Sequence, residues 1–505
     1  MLLRKLSKTW RLGSAARNTD NIGMRISLPN LRSVAAVLGM GCTLAAASGP
    51  GWNPLFVVAS EDVSSAFPGA PRLQSFAWAH WNGKWIFIAG RTGGYHGVGQ
   101  GDVQFPRTTA NQRIWVIEPP ASGPAKVYSF PVASLPASLA MVKDQWMASN
   151  LLHFQDKETL YLAGGYGENS AHELVTYPII SSVNLPALVE GVIHGKDTFS
   201  AMIDWAESPV VQSTGGELLR LDDGFFYLIG GHVFTGSYRS FEAADEKNTP
   251  AASQTYLGEI RKLRLSRARP GALDVTLVES FRDEEFARRD LNAGLTILED
   301  GKSLGAAAYG GVFTKEQLNF PHPILLQAGT APKADTGFAQ KMSAYSCATM
   351  LLYNPDTSAM YTTFFGGISR WRWNSSKSQF AEAPLVGDKT QDKGYFDGMP
   401  WINEISTLVR SQGQWFEFAQ EGLPAYIGTD GAFLPATGLA KIREDADIFD
   451  LRQFRGKRVL AGYLFGGIRA FPKQFPYTEE AREYTSGNVP TKTNDLILKV
   501  YVTAP

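Results

Sequence analysis

Short apolar runs, rich in aromatic and β-branched residues, recur along the chain and are closed by turn residues rather than continued at helical spacing. Lys84-Trp85-Ile86-Phe87-Ile88, Thr159-Leu160-Tyr161-Leu162 and Phe225-Phe226-Tyr227-Leu228-Ile229 are of this kind, and runs of that length and composition predict strands. They come in pairs. An apolar strand, a tight polar turn, a second apolar strand and one or two glycines make a unit that occurs six times. The first three copies are Ser75 to Gly90 (turn Asn82-Gly83), Ser149 to Gly165 (turn Asp156-Lys157) and Gly216 to Gly231 (turn Asp222-Asp223-Gly224). The others are Leu291 to Gly311 (turn Glu299-Asp300-Gly301), Tyr345 to Gly367 (turn Pro355-Asp356) and Phe449 to Gly467 (turn Arg455-Gly456-Lys457). A unit recurring at tens of residues predicts an array in which each copy buries its face against its neighbours.

Beyond the glycines comes a loop and then a third strand with a more polar face, as in residues 112–117, 256–260, 403–408 and 495–500. A fourth follows in several copies, such as residues 126–130 and 414–418. Four antiparallel strands in each of six copies predict an all-β chain folded as a six-bladed β-propeller. The last copy runs out after its third strand near Val502, while an unpaired strand at residues 54–59 precedes the first copy. Pairing the two would remove both exposed edges. The only helix-like run of note is Val34 to Leu44.

Glycine pairs end the second strand at Gly164-Gly165, Gly230-Gly231, Gly310-Gly311, Gly366-Gly367 and Gly466-Gly467, with Gly90 alone in the first copy. In this the chain resembles the kelch-like propellers of the galactose-oxidase-like superfamily, and the resemblance implies a six-bladed ring closed by the N-terminal strand. The landmarks from Gly90 to Gly466 lie 74, 66, 80, 56 and 100 residues apart, against about 50 in a standard kelch repeat. The chain therefore reads as a loop-enriched relative.

A hydrophobic fraction of 44% with 19% charged residues excludes a disordered chain. With 48 basic and 48 acidic residues and no Lys/Arg run, a nucleic-acid partner is not expected. Residues 1–47 read as an export signal with an upstream extension, and residues 52–505 as one propeller. Arg25 and Arg32 precede the apolar run, Ala45-Ala46-Ala47 offers a small-residue cleavage site before Ser48, and Met24 would make a start of ordinary length. The expected location is periplasmic or extracellular, with no transmembrane segment after signal removal. Cys42 suggests lipid anchoring only against a poor match in Gly39-Met40-Gly41.

The loops after the glycines are long, at residues 91–111, 232–254, 368–401 and 468–493. Long loops on a rigid scaffold are the usual seat of function. His96, His172, His232 and His322 fall just beyond the glycine landmarks of the first four copies. Arg91, Tyr166, Glu168, Arg239, Arg370, Trp371 and Arg469 are the candidate ligand-binding residues there, and His232, His96, His172 and Tyr238 the candidate proton carriers. The histidines have no fixed ligand spacing, so no metal and no cofactor are expected. Tyr345 and Cys347 bring to mind the tyrosine–cysteine cross-link of the copper radical oxidases, but their segment reads as an inner strand with a small buried thiol.

Three functions stay open. The first is binding of a small carbohydrate or peptide on the long-loop face. The others are a carbohydrate-active enzyme, a lyase or sugar epimerase working through loop His, Tyr and Arg, and a structural role in surface assembly.

Overall fold

Five of the six pairs of apolar runs form antiparallel hairpins, and the more polar strand that follows each adds to its outer edge. The computed structural model describes residues 56–95, 105–236, 252–316, 318–382, 399–471 and 489–505. All of them belong to the unit Cys42–Pro505. The segment expected to be an export signal, with Cys42, and the candidates His96, Tyr238 and Arg239, lie outside the described residues.

The chain is all-β, with sheets in chain order. The first is Ala77–Trp81, Lys84–Ile88, Arg113–Glu118 and Lys126–Pro131. The second is Leu152–Asp156, Thr159–Ala163, Ile179–Asn184 and Ile203–Glu207; the third is Glu217–Arg220, Phe226–Ile229, Glu259–Arg269 and Ala272–Arg282. These two join edge to edge as one eight-stranded sheet through a single parallel pairing, Trp205 with Ala272. The fourth is Asn292–Ile297, Leu304–Tyr309, Ile324–Gln327 and Lys333–Ala334. The fifth is Thr349–Asn354, Ala359–Ile368, Trp401–Ser411 and Gln414–Glu421. The sixth is Gly431–Pro435, Val459–Gly466, Leu498–Thr503 and, from the start of the chain, Val57–Asp62. In that last pairing Val57 stands opposite Thr503 and Asp62 opposite Leu498.

Two sequence readings need correction. The sixth unit does not begin at Phe449. Its first strand is Gly431–Pro435, which pairs with Val459–Gly466, and Ile448–Asp450 instead lies parallel to the first strand of the fifth sheet. An insertion, residues 436–458, separates the two strands, and it accounts for the 100-residue interval between the last two landmarks. Leu185–His194 is a helix that the search for a sustained helical period passed over. Its signals are at its ends: the Asn184 side chain caps the amide of Ala187, Pro186 occupies the first turn, and Gly195 ends it at φ 62°.

The glycine landmarks have a physical cause. The second glycine of each unit donates its amide to a carbonyl of the next sheet: Gly90 to Ala148, Gly165 to Ser213, Gly231 to Arg288, Gly311 to Ala344, Gly367 to Ile427 and Gly467 to Leu73, at 2.7–3.1 Å. The last link returns to the first sheet. The first glycine of the pair lies against the same carbonyl; a Cβ on Gly164 would stand 1.9 Å from the Ser213 oxygen. Nearer the sheet starts a second circuit runs through one residue per sheet. Asn150 donates to Ser75, Gly215 to Asn150, Asp290 to Gly215, Ser346 to Asp290, Asp430 to Ser346 and Ser75 to Asp430, at 2.6–3.2 Å. Five of these six residues have positive φ. Between neighbouring sheets lie apolar clusters, such as Ile86, Ile114, Leu160 and Leu162 between the first and second. Among the described residues no helix is long and apolar enough to cross a membrane.

Candidate functional site

The circuit through Ser75, Asn150, Gly215, Asp290, Ser346 and Asp430 forms a polar collar, and a cavity lies on each side of it. Ser75, Asn150, Asp290 and Asp430 line both. The cavity on the glycine-pair side has a volume of about 60 Å³. Its wall is built from two positions: the residue before the collar residue in all six units, and the residue after the glycines in four of them, Arg91, Tyr166, His232 and Ile468. Backbone bridges tie the two together, as in Gln74 with Arg91, Ser149 with Tyr166, Thr214 with His232 and Arg289 with Val312. The collar position fixes the side chain below it, and the glycine pair fixes the one above.

Arg91 is only 6% exposed. Its Nη2 donates to the Gly94 carbonyl at 2.9 Å, its guanidinium lies 4.0 Å from the centre of the Phe105 ring, and its Nε has no partner. Burial lowers its pKa to about 10, with Asp430 opposing the shift. Arg289, on the same cavity, holds Asp290 through Nη1 at 2.8 Å and the Tyr256 hydroxyl through Nε at 3.2 Å. Tyr166 donates its hydroxyl to the Gly236 carbonyl at 2.5 Å. His232 begins the strand His232–Thr235, packs against Phe234 and Tyr256, and accepts at Nδ1 from the Gln254 amide at 3.3 Å. Burial, and then Arg289, hold its pKa well below the ordinary imidazole value. With Nδ1 accepting, the neutral ring carries its proton on Nε2.

At the floor, Ser75 Oγ donates to Asp430 Oδ2 at 2.9 Å. Burial, and next the Asp290 carboxylate, push Asp430 up to about 7. Burial raises Asp290 as well, against the pull of Arg289. Two carboxyls at one buried floor resist ionising together.

The sequence candidates divide. Arg91, Tyr166 and His232 come together on this cavity. Glu168 and His172 do not line it; they pair with each other at 2.6 Å, His172 is largely exposed, and Glu168 also accepts from the Arg107 amide. Arg370 turns to Glu382 at 2.7 Å, and Arg469 to Asp495 at 2.8 Å. Trp371 belongs to the hairpin Trp371–Asn374 with Gln379–Glu382 and packs beside Met342, Trp373 and Ile402. Cys347 is buried, and burial pushes its thiol up to about 12. Sequence reasoning missed Arg289, Asp290, Asp430 and Thr429, whose buried hydroxyl has no partner. Their signal was position, the two residues before each first strand, and not residue type. Among the described residues no group of three or more His, Cys, Asp or Glu side chains is arranged to hold a metal ion.

No family model and no curated protein matches the chain. Among solved structures, the one described as "Structure of YjhT" aligns with 85% of this chain and 99% of its own, at 11% identity and a TM-score of 0.43. That score is too low to assign either fold or role.

Proposed function

We propose that the chain is a six-bladed, kelch-like β-propeller that binds a small carboxylate-bearing ligand, an acidic sugar or the carboxyl end of a peptide, at the glycine-pair end of its channel. The propeller reading is supported by six four-stranded meanders and by two hydrogen-bond circuits that return to the first sheet. With the N-terminal segment read as an export signal, the ligand is one met in the periplasm or outside the cell.

The observation that carries the binding reading is Arg91. A buried guanidinium with an unmade hydrogen bond at Nε costs the fold about 1–3 kcal/mol or more, which a bound anion would offset. Arg289 adds a second guanidinium, paired with Asp290, and the rest of the wall is aromatic, amide- and hydroxyl-bearing above the Asp290 and Asp430 carboxyls. A volume of 60 Å³ holds roughly four waters at about 10–15 Å³ each. That suits a carboxylate head with a neighbouring hydroxyl, the rest of the ligand lying toward the mouth.

The test compares uronic acids and short peptides with their carboxamides, by calorimetry on the exported protein. The acids should bind and the amides should not, and Arg91→Ala should weaken binding about 10- to 100-fold, the range expected for a charged hydrogen bond. Equal binding of acid and amide, or an unaffected Arg91→Ala, would refute the reading. An enzyme acting on the same ligand is the second reading, favoured by the neutral His232 beside Arg289. His232→Ala should then cut turnover by ~10²-fold or more while leaving most of the affinity.

A further inference from the structure

The larger cavity, about 520 Å³, opens on the other side of the collar, among the turns that join first and second strands. Five of those connections are short, and the sixth is the insertion 436–458. This arm crosses to other sheets. Asp447 meets His80 of the first sheet at 2.6 Å and Lys441 within the arm at 2.7 Å. Arg443 meets Asp222, in the turn of the third sheet, at 2.9 Å, and donates to the Lys302 carbonyl, in the turn of the fourth, at 3.3 Å. Ile448–Asp450 pairs with the fifth sheet. An insertion fixed at that many points adds a wall to the cavity rather than a loose loop.

The chemistry inside differs from that of the smaller cavity. Trp78 and Trp81 line it half-buried, with the Trp78 indole stacked on His80 at 6.5 Å and edge-on to His153 at 6.1 Å. Burial keeps His153 neutral, its pKa lowered to about 4. Lys441 is spent on Asp447. Glu217, on the first strand of the third sheet, lines the cavity, and among the described residues its carboxyl has no ion-pair partner. Burial alone perturbs it, pushing its carboxyl up to about 8. A cavity with an indole wall and a carboxyl that has no counter-ion among the described residues, where Lys441 is already paired with Asp447, suits positive charge.

We propose that this second cavity binds an organic cation, an ammonium group on a small aliphatic body, with Glu217 as its counter-ion and the Trp78 indole as its π face. The site shares the collar residues Ser75, Asn150, Asp290 and Asp430 with the Arg91 cavity but opens on their other side. The mouth is shaped by the arm, and Asp447→Ala, which releases the arm from His80 and leaves the Lys441 charge unpaired at the cavity, should weaken the same ligand.

The experiment titrates the exported protein with choline and with its neutral isostere 3,3-dimethylbutan-1-ol under mildly alkaline conditions. Choline should bind at least about 10-fold more tightly than the isostere, as a desolvated cation–π contact with a counter-ion requires. Glu217→Gln and Trp78→Leu should each remove about 10-fold of choline affinity. Equal affinity for choline and the alcohol, absence of choline binding, or full affinity in Glu217→Gln would overturn the proposal. If Trp78→Leu does not fold, the isostere comparison on the unaltered chain decides alone.

Discussion

The amide of Asp290 donates to the carbonyl of Gly215 at 2.6 Å, across the junction between the third and fourth sheets. It is one link of a circuit in which every sheet contributes a residue one to three positions ahead of its first strand. The same residue thus closes the backbone circuit and presents a carboxyl to both cavities. Architecture and chemistry are coupled at that position, because the backbone geometry that makes the link also fixes where the side chain stands.

The glycine landmarks offer a clean test of why they are glycine. Gly164 and Gly195 share a φ of 62°, so alanine incurs the same left-handed backbone cost at both, about 1–2 kcal/mol. They differ in surroundings. A Cβ at Gly195 meets nothing within 4 Å, whereas one at Gly164 would overlap the Ser213 carbonyl at 1.9 Å. Gly195→Ala should therefore lose only the backbone cost in chemical denaturation, and Gly164→Ala at least about 2 kcal/mol more. Equal losses would mean that the close approach between sheets contributes nothing.

The pairing of the two chain ends in the sixth sheet is open to truncation. Val57–Asp62 pairs in register with Leu498–Thr503, and Phe56 and Val58 are fully buried beside Phe418, Leu498 and Val500. Removing residues 52–60 deletes both core side chains and bares the edge of Leu498–Thr503. Loss of one large buried side chain alone costs about 3–5 kcal/mol, so the truncated chain should melt lower and aggregate on heating. A truncation that melts cooperatively at the parent temperature would contradict the role given to this strand.

Much of this arrangement was legible before any coordinates. Strand pairs, turns and glycines repeat because each sheet meets its neighbour in the same way, and that contact admits little besides glycine. The sixth unit was misplaced because Phe449 begins an apolar run like any first strand, and only a partner strand shows which run is paired. In the site, Arg91, Tyr166 and His232 were found because they directly follow the glycines. Arg469 follows Ile468, which lines the cavity, and strand alternation turns the next side chain away. Arg289 and Asp430 could not be found by type, since the pairs before the first strands read Gln-Ser, Ser-Asn, Thr-Gly, Arg-Asp, Tyr-Ser and Thr-Asp.

The collar should make carboxylate binding depend on pH near neutrality. Asp430 titrates near 7, raised first by burial and then by Asp290, and it lines the cavity that holds Arg91. Asp290, which faces it, is raised by burial too and acts in the same direction. Arg91 stays protonated, with a pKa of about 10, and His232 stays neutral, held well below its ordinary value. An anionic ligand therefore meets a neutral Asp430 below pH 7 and a repelling carboxylate above it, so affinity for a uronic acid should fall as pH rises through about 7. Asp430→Asn should keep the low-pH affinity at all pH values. Stability follows the same sign. A carboxyl whose pKa is raised on folding favours the folded state fully below its ordinary pKa of about 4, and that contribution is lost as pH rises to about 7. Asp430→Asn should therefore gain stability relative to the parent chain above pH 7 and not below pH 4. Calorimetric titrations and melting curves at matched ionic strength would measure both, and affinity that stays flat from pH 5 to 9 in the parent chain would rule out this coupling.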